Sequence, residues 1–189
     1  MRKGKAFIIS GPSGVGKSTV LGELLKKRKD IYFSVSATTR APRPGEVDGV
    51  HYHFLDVDTF RRWIEQNEFF EHAEFVGNYY GTPKKYVYEA MENGKDVILD
   101  IEVQGAMQVM ERMPQCVSIF VLPPSFDELE RRLRGRGTET EEKILKRLET
   151  ARGELKYADR YQYQIVNGGD LEAAYQELRS VYLKETGQV

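Results

Sequence analysis

The sequence predicts an α/β fold built on a parallel sheet of about five strands. Three observations predict it. Short apolar runs near residues 6–9, 31–35, 97–101, 117–122 and 162–166 are separated by stretches with helical spacing, and strands that alternate with helices pair in parallel through crossover connections. The stretch Gly11-Pro12-Ser13-Gly14-Val15-Gly16-Lys17-Ser18 fits the phosphate-loop pattern G-x-x-x-x-G-K-[ST] at every defined position and stands between the first strand and the first helix. The 189 residues suit one domain with small inserted subdomains.

Composition narrows the classes. A formal net charge of −1 gives no general attraction to nucleic acid or to membranes. The apolar runs, such as Ile119-Phe120-Val121-Leu122, are far too short to span a bilayer. The basic start, Met1 to Lys5, is followed by only Ala6 to Ile9, too short for a signal-peptide core. Cys116 is the sole cysteine, so no internal disulfide forms, and it reads as a small core residue. A cytoplasmic protein is expected. The short helices carry no clear dimer signature.

Ala6 to Ile9 is the first buried strand. After it the glycines allow a tight turn that brings backbone N–H groups close to a phosphate chain. Thr19 to Lys27 is helical, with Val20, Leu21, Leu24 and Leu25 on one face. The start of this helix favours anions. Lys17 can neutralise β- and γ-phosphate oxygens, and the Ser18 hydroxyl can hold Mg²⁺. Residues 31–36 read as the second strand.

In Thr38 to Glu46, Pro42, Pro44 and Gly45 exclude regular structure. Arg40 and Arg43 there make either an anion clamp or a solvated basic loop. Residues 50–55 alternate like a strand, Asp58 is expected to cap a short helix, and 69–76 is strand-like again. Residues 77–83 read as a turn. Residues 34–82, with no long helix of their own, read as a small mixed insertion, and His51, His53 and His72 within it lack a metal-ligand spacing.

A helix from Thr82 or Lys84 to Asn93 stops near Gly94. The strand 96–100 ends in Asp100, the position of a carboxylate near Mg²⁺ in phosphate-loop proteins. Glu102 points the same way if the strand continues. Gln104 to Arg112 is helical and Val117 to Leu122 is a strand. Ser125-Phe126-Asp127-Glu128 is a capping box. Its helix runs into Arg131, Arg132, Arg134, Gly135, Arg136 and Gly137, and a second helix restarts at 138–141 carrying Lys146, Arg147 and Arg152. Two helices joined by an Arg/Gly hinge read as a lid over phosphates, the other reading being a solvated charged hairpin. Gln162 to Val166 is the last strand, and Asp170 caps a final helix with Leu171, Ala174, Tyr175, Leu178 and Tyr182 inside.

With these residues in view, the chain resembles the guanylate kinase family over nearly its whole length. The matching words include Gly11 to Thr19, Thr38-Thr39-Arg40, Pro42-Arg43, Asn78-Tyr79-Tyr80-Gly81, Ile98-Leu99-Asp100-Ile101, Gln104-Gly105, Gly135-Arg136-Gly137-Thr138-Glu139 and Ile165-Val166-Asn167. The resemblance implies the phosphate-loop nucleoside-monophosphate-kinase fold. Its core would be 1–33, 83–124 and 161–189, its GMP-binding region 34–82 and its lid 125–160. It implies phosphorylation of GMP and dGMP by ATP with Mg²⁺, serving guanine nucleotide synthesis and recycling.

By the same resemblance, Gly11, Pro12, Ser13, Gly14, Val15, Gly16, Lys17, Ser18 and Thr19 hold ATP, with Asn167 near its adenine. Arg40, Arg43, Tyr52 and Tyr80 hold the GMP phosphate, while Ser36, Glu71, Thr82 and Glu102 read guanine. Lys17, Arg40, Arg132, Arg136 and Arg147 serve catalysis, and Ser18 and Asp100 hold Mg²⁺, partly through water. The chain differs from the family pattern at Gly168-Gly169, where acidic residues are common, at Thr82 for serine, and at Glu102 for aspartate. Two rivals remain: a small-molecule kinase with another phosphorylated substrate, and a non-catalytic module of this fold that binds phosphopeptides. Lys17 and Ser18 stand against the second.

Overall fold

The computed structural model describes residues 2–135 and 140–188. The chain divides into two compact units. One comprises Met1–Ala6, Asp30–Leu99 and Gln104–Cys116; the other comprises Phe7–Lys29, Asp100–Val103 and Val117–Val189.

The strands of the main sheet are β1 (Ala6–Ser10), β2 (Tyr32–Phe33), β7 (Val97–Asp100), β8 (Val117–Leu122) and β9 (Tyr163–Val166), numbered among nine strands in chain order. They form a five-stranded parallel sheet in the order β2-β7-β1-β8-β9. All of β1 and most of β8 are buried, the unbroken apolar pattern expected when helices cover both faces. Phe7 stands opposite Val117 and Ile119 opposite Tyr163. The expected five strands are all present. The second is shorter than its apolar run: Ser34 N–H makes a last bond to Ile98 O at 2.9 Å, and the chain then leaves the sheet.

The second sheet belongs wholly to the first unit. It contains β3 (Ala37–Thr38), β4 (His53–Phe54), β5 (Phe69–Phe75) and β6 (Asn78–Pro83) in the order β4-β3-β6-β5. Helix α2 (Val57–Glu65) packs on it through Phe60, which stacks on Phe69 at 4.4 Å and on Tyr79 at 5.5 Å. Two expectations are corrected here. The helix cap is Asp56, whose Oδ1 accepts from Thr59 N at 2.7 Å, because Asp58 already lies inside the first turn. Residues 78–83 are strand β6 instead of a turn. The reversal is confined to Val76 and Gly77, both at positive φ (49° and 72°), a two-residue hairpin connection.

Helices α3 (Lys84–Glu92) and α4 (Val103–Arg112) follow at their expected places. In the second unit, α1 (Lys17–Lys27) packs on α7 (Leu171–Thr186). Tyr182 of α7 lies 5.2 Å from Phe7, and Asp170 caps the helix through Ala173 N–H at 3.1 Å. Helices α5 (Phe126–Gly135) and α6 (Glu141–Leu155) pack together. Only half of the expected capping box forms. Ser125 Oγ accepts from Glu128 N at 3.1 Å, but the Glu128 carboxylate is taken by Arg131 and Arg132.

Candidate active site

The phosphate loop and its surroundings enclose a cavity of about 320 Å³ lined by Gly11 to Thr19, Glu102 and Glu154, all within the second unit. Two glycines shape the loop. Gly14 and Gly16 sit at φ 88° and 87°, the left-handed region where a side chain would be strained. A Cβ on Gly16 would also lie 2.5 Å from Asn167 Nδ2. Helix α1 begins at Lys17 with no side chain capping it and no acidic residue in its first turn. Its opening N–H groups and positive dipole end are therefore directed at the loop, as an anion requires.

The loop is fastened from behind. Val15 O accepts from Asn167 Nδ2 at 2.9 Å and from Arg132 Nη1 at 3.3 Å. Arg132 Nη2 also donates to Asn167 O at 3.0 Å, and its Nε to Glu128 Oε1 at 2.8 Å. Hydrogen bonds from Arg131, then from Arg132, hold the Glu128 carboxyl down to about 2. Arg132 and Asn167 thus meet at the loop, where the sequence placed them only by resemblance. Arg147 lies half-buried on α6, outside the residues that line the cavity. Arg136, the remaining arginine expected here, lies outside the described residues.

Lys17 Nζ forms an ion pair with Asp100 Oδ1 at the carboxyl end of β7. Ser10 Oγ donating to Ile101 O at 2.8 Å ties the exits of β1 and β7 together and places that carboxylate beside the loop. Burial pushes the Lys17 ammonium down to about 8, while the anions Glu102 and Glu154 act in the opposite direction. The strand ends at Asp100, yet Glu102 still lines the cavity.

Glu154 was not legible in the sequence. It accepts from Ser13 N–H, and its buried Oε2 has no hydrogen-bond partner among the described residues. Burial, then Glu102, raises its pKa. Only its tertiary position against Ser13 marks it. Among the described residues, no group of three or more His, Cys, Asp or Glu side chains is arranged to hold a metal ion. A hydroxyl (Ser18) and a carboxylate (Asp100) are nonetheless hard oxygen donors that fit a Mg²⁺ whose other ligands are phosphate and water.

The first unit gathers a second cluster. Arg40 Nη2 donates to Glu46 Oε1 at 2.8 Å, and Glu46 Oε2 accepts from Arg43 N at 2.7 Å. The Arg40 guanidinium, then the Arg43 N–H, hold the Glu46 carboxyl down to about 2. Arg40 also lies 5.4 Å from the Tyr52 ring and hydrogen-bonds Tyr80, whose ring is 6.1 Å from that of Tyr52. The loop is therefore organised by Glu46, which the sequence shows in a matching Gly45-Glu46 word but with no role attached. Arg43 is exposed beside it. On the same sheet, Thr82 Oγ1 donates to Glu71 Oε1 at 2.6 Å. Ser36 lies just before β3, its carbonyl accepting from His53 N at 2.9 Å.

Comparison with known proteins points one way. The guanylate kinase family model matches residues 3–185. A guanylate kinase of Desulfitobacterium hafniense is 52% identical over 98% of this chain and 92% of its own length. One from Caldanaerobacter subterraneus subsp. tengcongensis is 46% identical over 100% of this chain and 91% of its own. The crystal structure of guanylate kinase from Anaplasma phagocytophilum superposes with a TM-score of 0.73 at 37% identity, covering 97% of this chain and 87% of that one.

Proposed function

The chain belongs to the guanylate kinase family, and we propose that its substrates, ATP and GMP, are held by the two clusters described above. It is a nucleotide kinase that phosphorylates GMP. The observation that carries the catalytic reading over a phosphopeptide-binding one is the complete phosphate loop with Lys17 paired to Asp100 at its cavity. A module that only binds has no use for that pair.

Phosphoryl transfer needs little covalent chemistry. Positioning and neutralisation of the γ-phosphoryl carry it. The loop amides and the start of α1 receive the phosphates of ATP. Lys17 leaves Asp100 for the β- and γ-oxygens. Mg²⁺, arriving with ATP, would be held by Ser18 and Asp100 and would supply further neutralisation of phosphate charge. Arg132, fixed to Val15 O, sets the loop and adds positive charge, and Arg147 and Arg136 serve the transferring phosphoryl group with it. In this proposal residues 125–160 serve as the lid, which excludes water so that ATP is not hydrolysed.

The acceptor phosphate is a dianion suited to two arginines and two phenols, Arg40, Arg43, Tyr52 and Tyr80. Glu46 holds Arg40 until the phosphate replaces it. Guanine presents two adjacent donors, N1–H and the 2-amino group, and the Glu71 carboxylate, oriented by Thr82, accepts both, with Ser36 serving the same base. Adenine offers a lone pair at N1, so a desolvated carboxylate facing it discriminates by on the order of 10⁴-fold.

The test is a coupled ADP-release assay with ATP and Mg²⁺ and, in parallel, GMP, dGMP, AMP, CMP and UMP. Turnover is expected with GMP and dGMP alone. Comparable turnover with AMP would remove the base-reading role of Glu71, and no turnover at all would restore the binding-module reading.

A further inference from the structure

The Gln104-Gly105 pair has no role in the chemistry so far. Gly105 lies in the first turn of α4, where glycine is a poor helix former. Its backbone does not have the positive φ that calls for glycine. Its surroundings do call for one. A Cβ at Gly105 would lie 3.1 Å from Glu71 Cγ and 3.2 Å from both Cδ and Oε2, so its three nearest neighbours all belong to one side chain. Gly22 and Gly153, also within helices, have nothing within 4 Å of a Cβ.

The other end of α4 holds the same strand. Arg112 Nη1 donates to Phe69 O at 2.9 Å and to Phe70 O at 2.5 Å. These carbonyls sit where the β5–β6 register shifts, between Phe69 and His72, and such an irregularity re-aims the side chains within it. Phe70 and Glu71 lie within it. Thr82 holds the Glu71 Oε1 from the facing strand.

We infer that Gly105 is a positioning residue for base selection, its bare Cα leaving the space in which the Glu71 carboxylate lies. This rests on Glu71 as the guanine reader. A methyl group at 105 pushes a flexible carboxylate by a few tenths of an ångström, and paired hydrogen bonds to a purine edge tolerate little displacement. The backbone has no reason to object, and alanine favours the helix.

The experiment measures GMP and ATP kinetics and thermal midpoints for Gly105→Ala, Glu71→Ala, the double variant and Glu71→Gln. Gly105→Ala is expected to raise KM for GMP on the order of tenfold, with KM for ATP and kcat nearly unchanged and the thermal midpoint equal or higher. Alanine at 71 lacks all three atoms that the added methyl would meet. Placing Gly105→Ala in the Glu71→Ala background should therefore add no further loss. An unchanged KM for GMP in Gly105→Ala overturns the inference. So does a rise that persists in the Glu71→Ala background, or one accompanied by a lowered midpoint. If Glu71→Gln leaves the GMP/AMP preference intact, the base-reading role itself fails and takes this inference with it. A normal Glu71→Gln loss with a silent Gly105→Ala overturns only the inference.

Discussion

Lys17 is the residue on which the proposed chemistry turns, and its setting predicts what its loss does. It is paired with Asp100 beside a loop whose shape is held by Gly14, Gly16, Arg132 and Asn167. None of those supports passes through the lysine side chain. Lys17→Ala should lower kcat by at least about 10²–10³-fold, the cost of removing one preorganised positive donor, with an unchanged circular dichroism spectrum. Initial rates under saturating ATP and GMP check it, and near-normal turnover would exclude the assigned role. At this scale much of the site was legible. Gly11 to Ser18 announce a phosphate cradle because backbone geometry dictates both glycines and lysine at fixed spacing. The roles of Glu154 and Glu46 were not legible. A carboxylate on a charged helix or loop looks like any solvated acid until the fold sets it against Ser13 N–H or the Arg40 guanidinium.

Among the elements, the main sheet was legible because buried parallel strands are nearly continuous apolar runs, as in β8. Strand β6 was hidden. Its sequence, Asn-Tyr-Tyr-Gly-Thr-Pro, carries turn-forming residues, yet antiparallel pairing with β5 and β3 overrides them. The real turn uses Val76, a β-branched residue at φ 49° with 80% of its surface exposed. That conformation costs a non-glycine residue about 1–2 kcal/mol, and so exposed a side chain has little packing to lose. Val76→Asn should therefore stabilise the protein by about 1 kcal/mol, since Asn-Gly is the preferred pair for a hairpin with both central residues at positive φ. The urea midpoint should rise with an unchanged m-value; a fall would mean that the valine makes a contact worth more than the strain.

For the whole molecule, acid stability divides into two pH windows with different owners. His53 stacks on Tyr86 at 4.0 Å, and its buried Nε2 has no hydrogen-bond partner among the described residues. Burial lowers its pKa below 6.5, against the opposing charge of Asp48. His72 is lowered as well, by burial and then by Arg112. Below pH 6.5 the unfolded chain takes up these protons before the folded one does. Stability from the histidines is thus full above 6.5 and is lost as pH falls toward their depressed folded values. The carboxylates act lower. Glu46 and Glu128, held near 2 by their arginines from an ordinary 4.5, contribute above 4.5 and lose that contribution between about 4.5 and 2. His53→Phe keeps the stack on Tyr86 and removes the titrating nitrogen. The variant should show a flatter thermal midpoint between pH 6.5 and 5 than the parent, and the same decline below 4.5. An unchanged slope in the upper window would assign that loss to other groups, whereas a change confined to the lower window would mean that His53 stabilises the carboxylate pairs instead of opposing its own protonation.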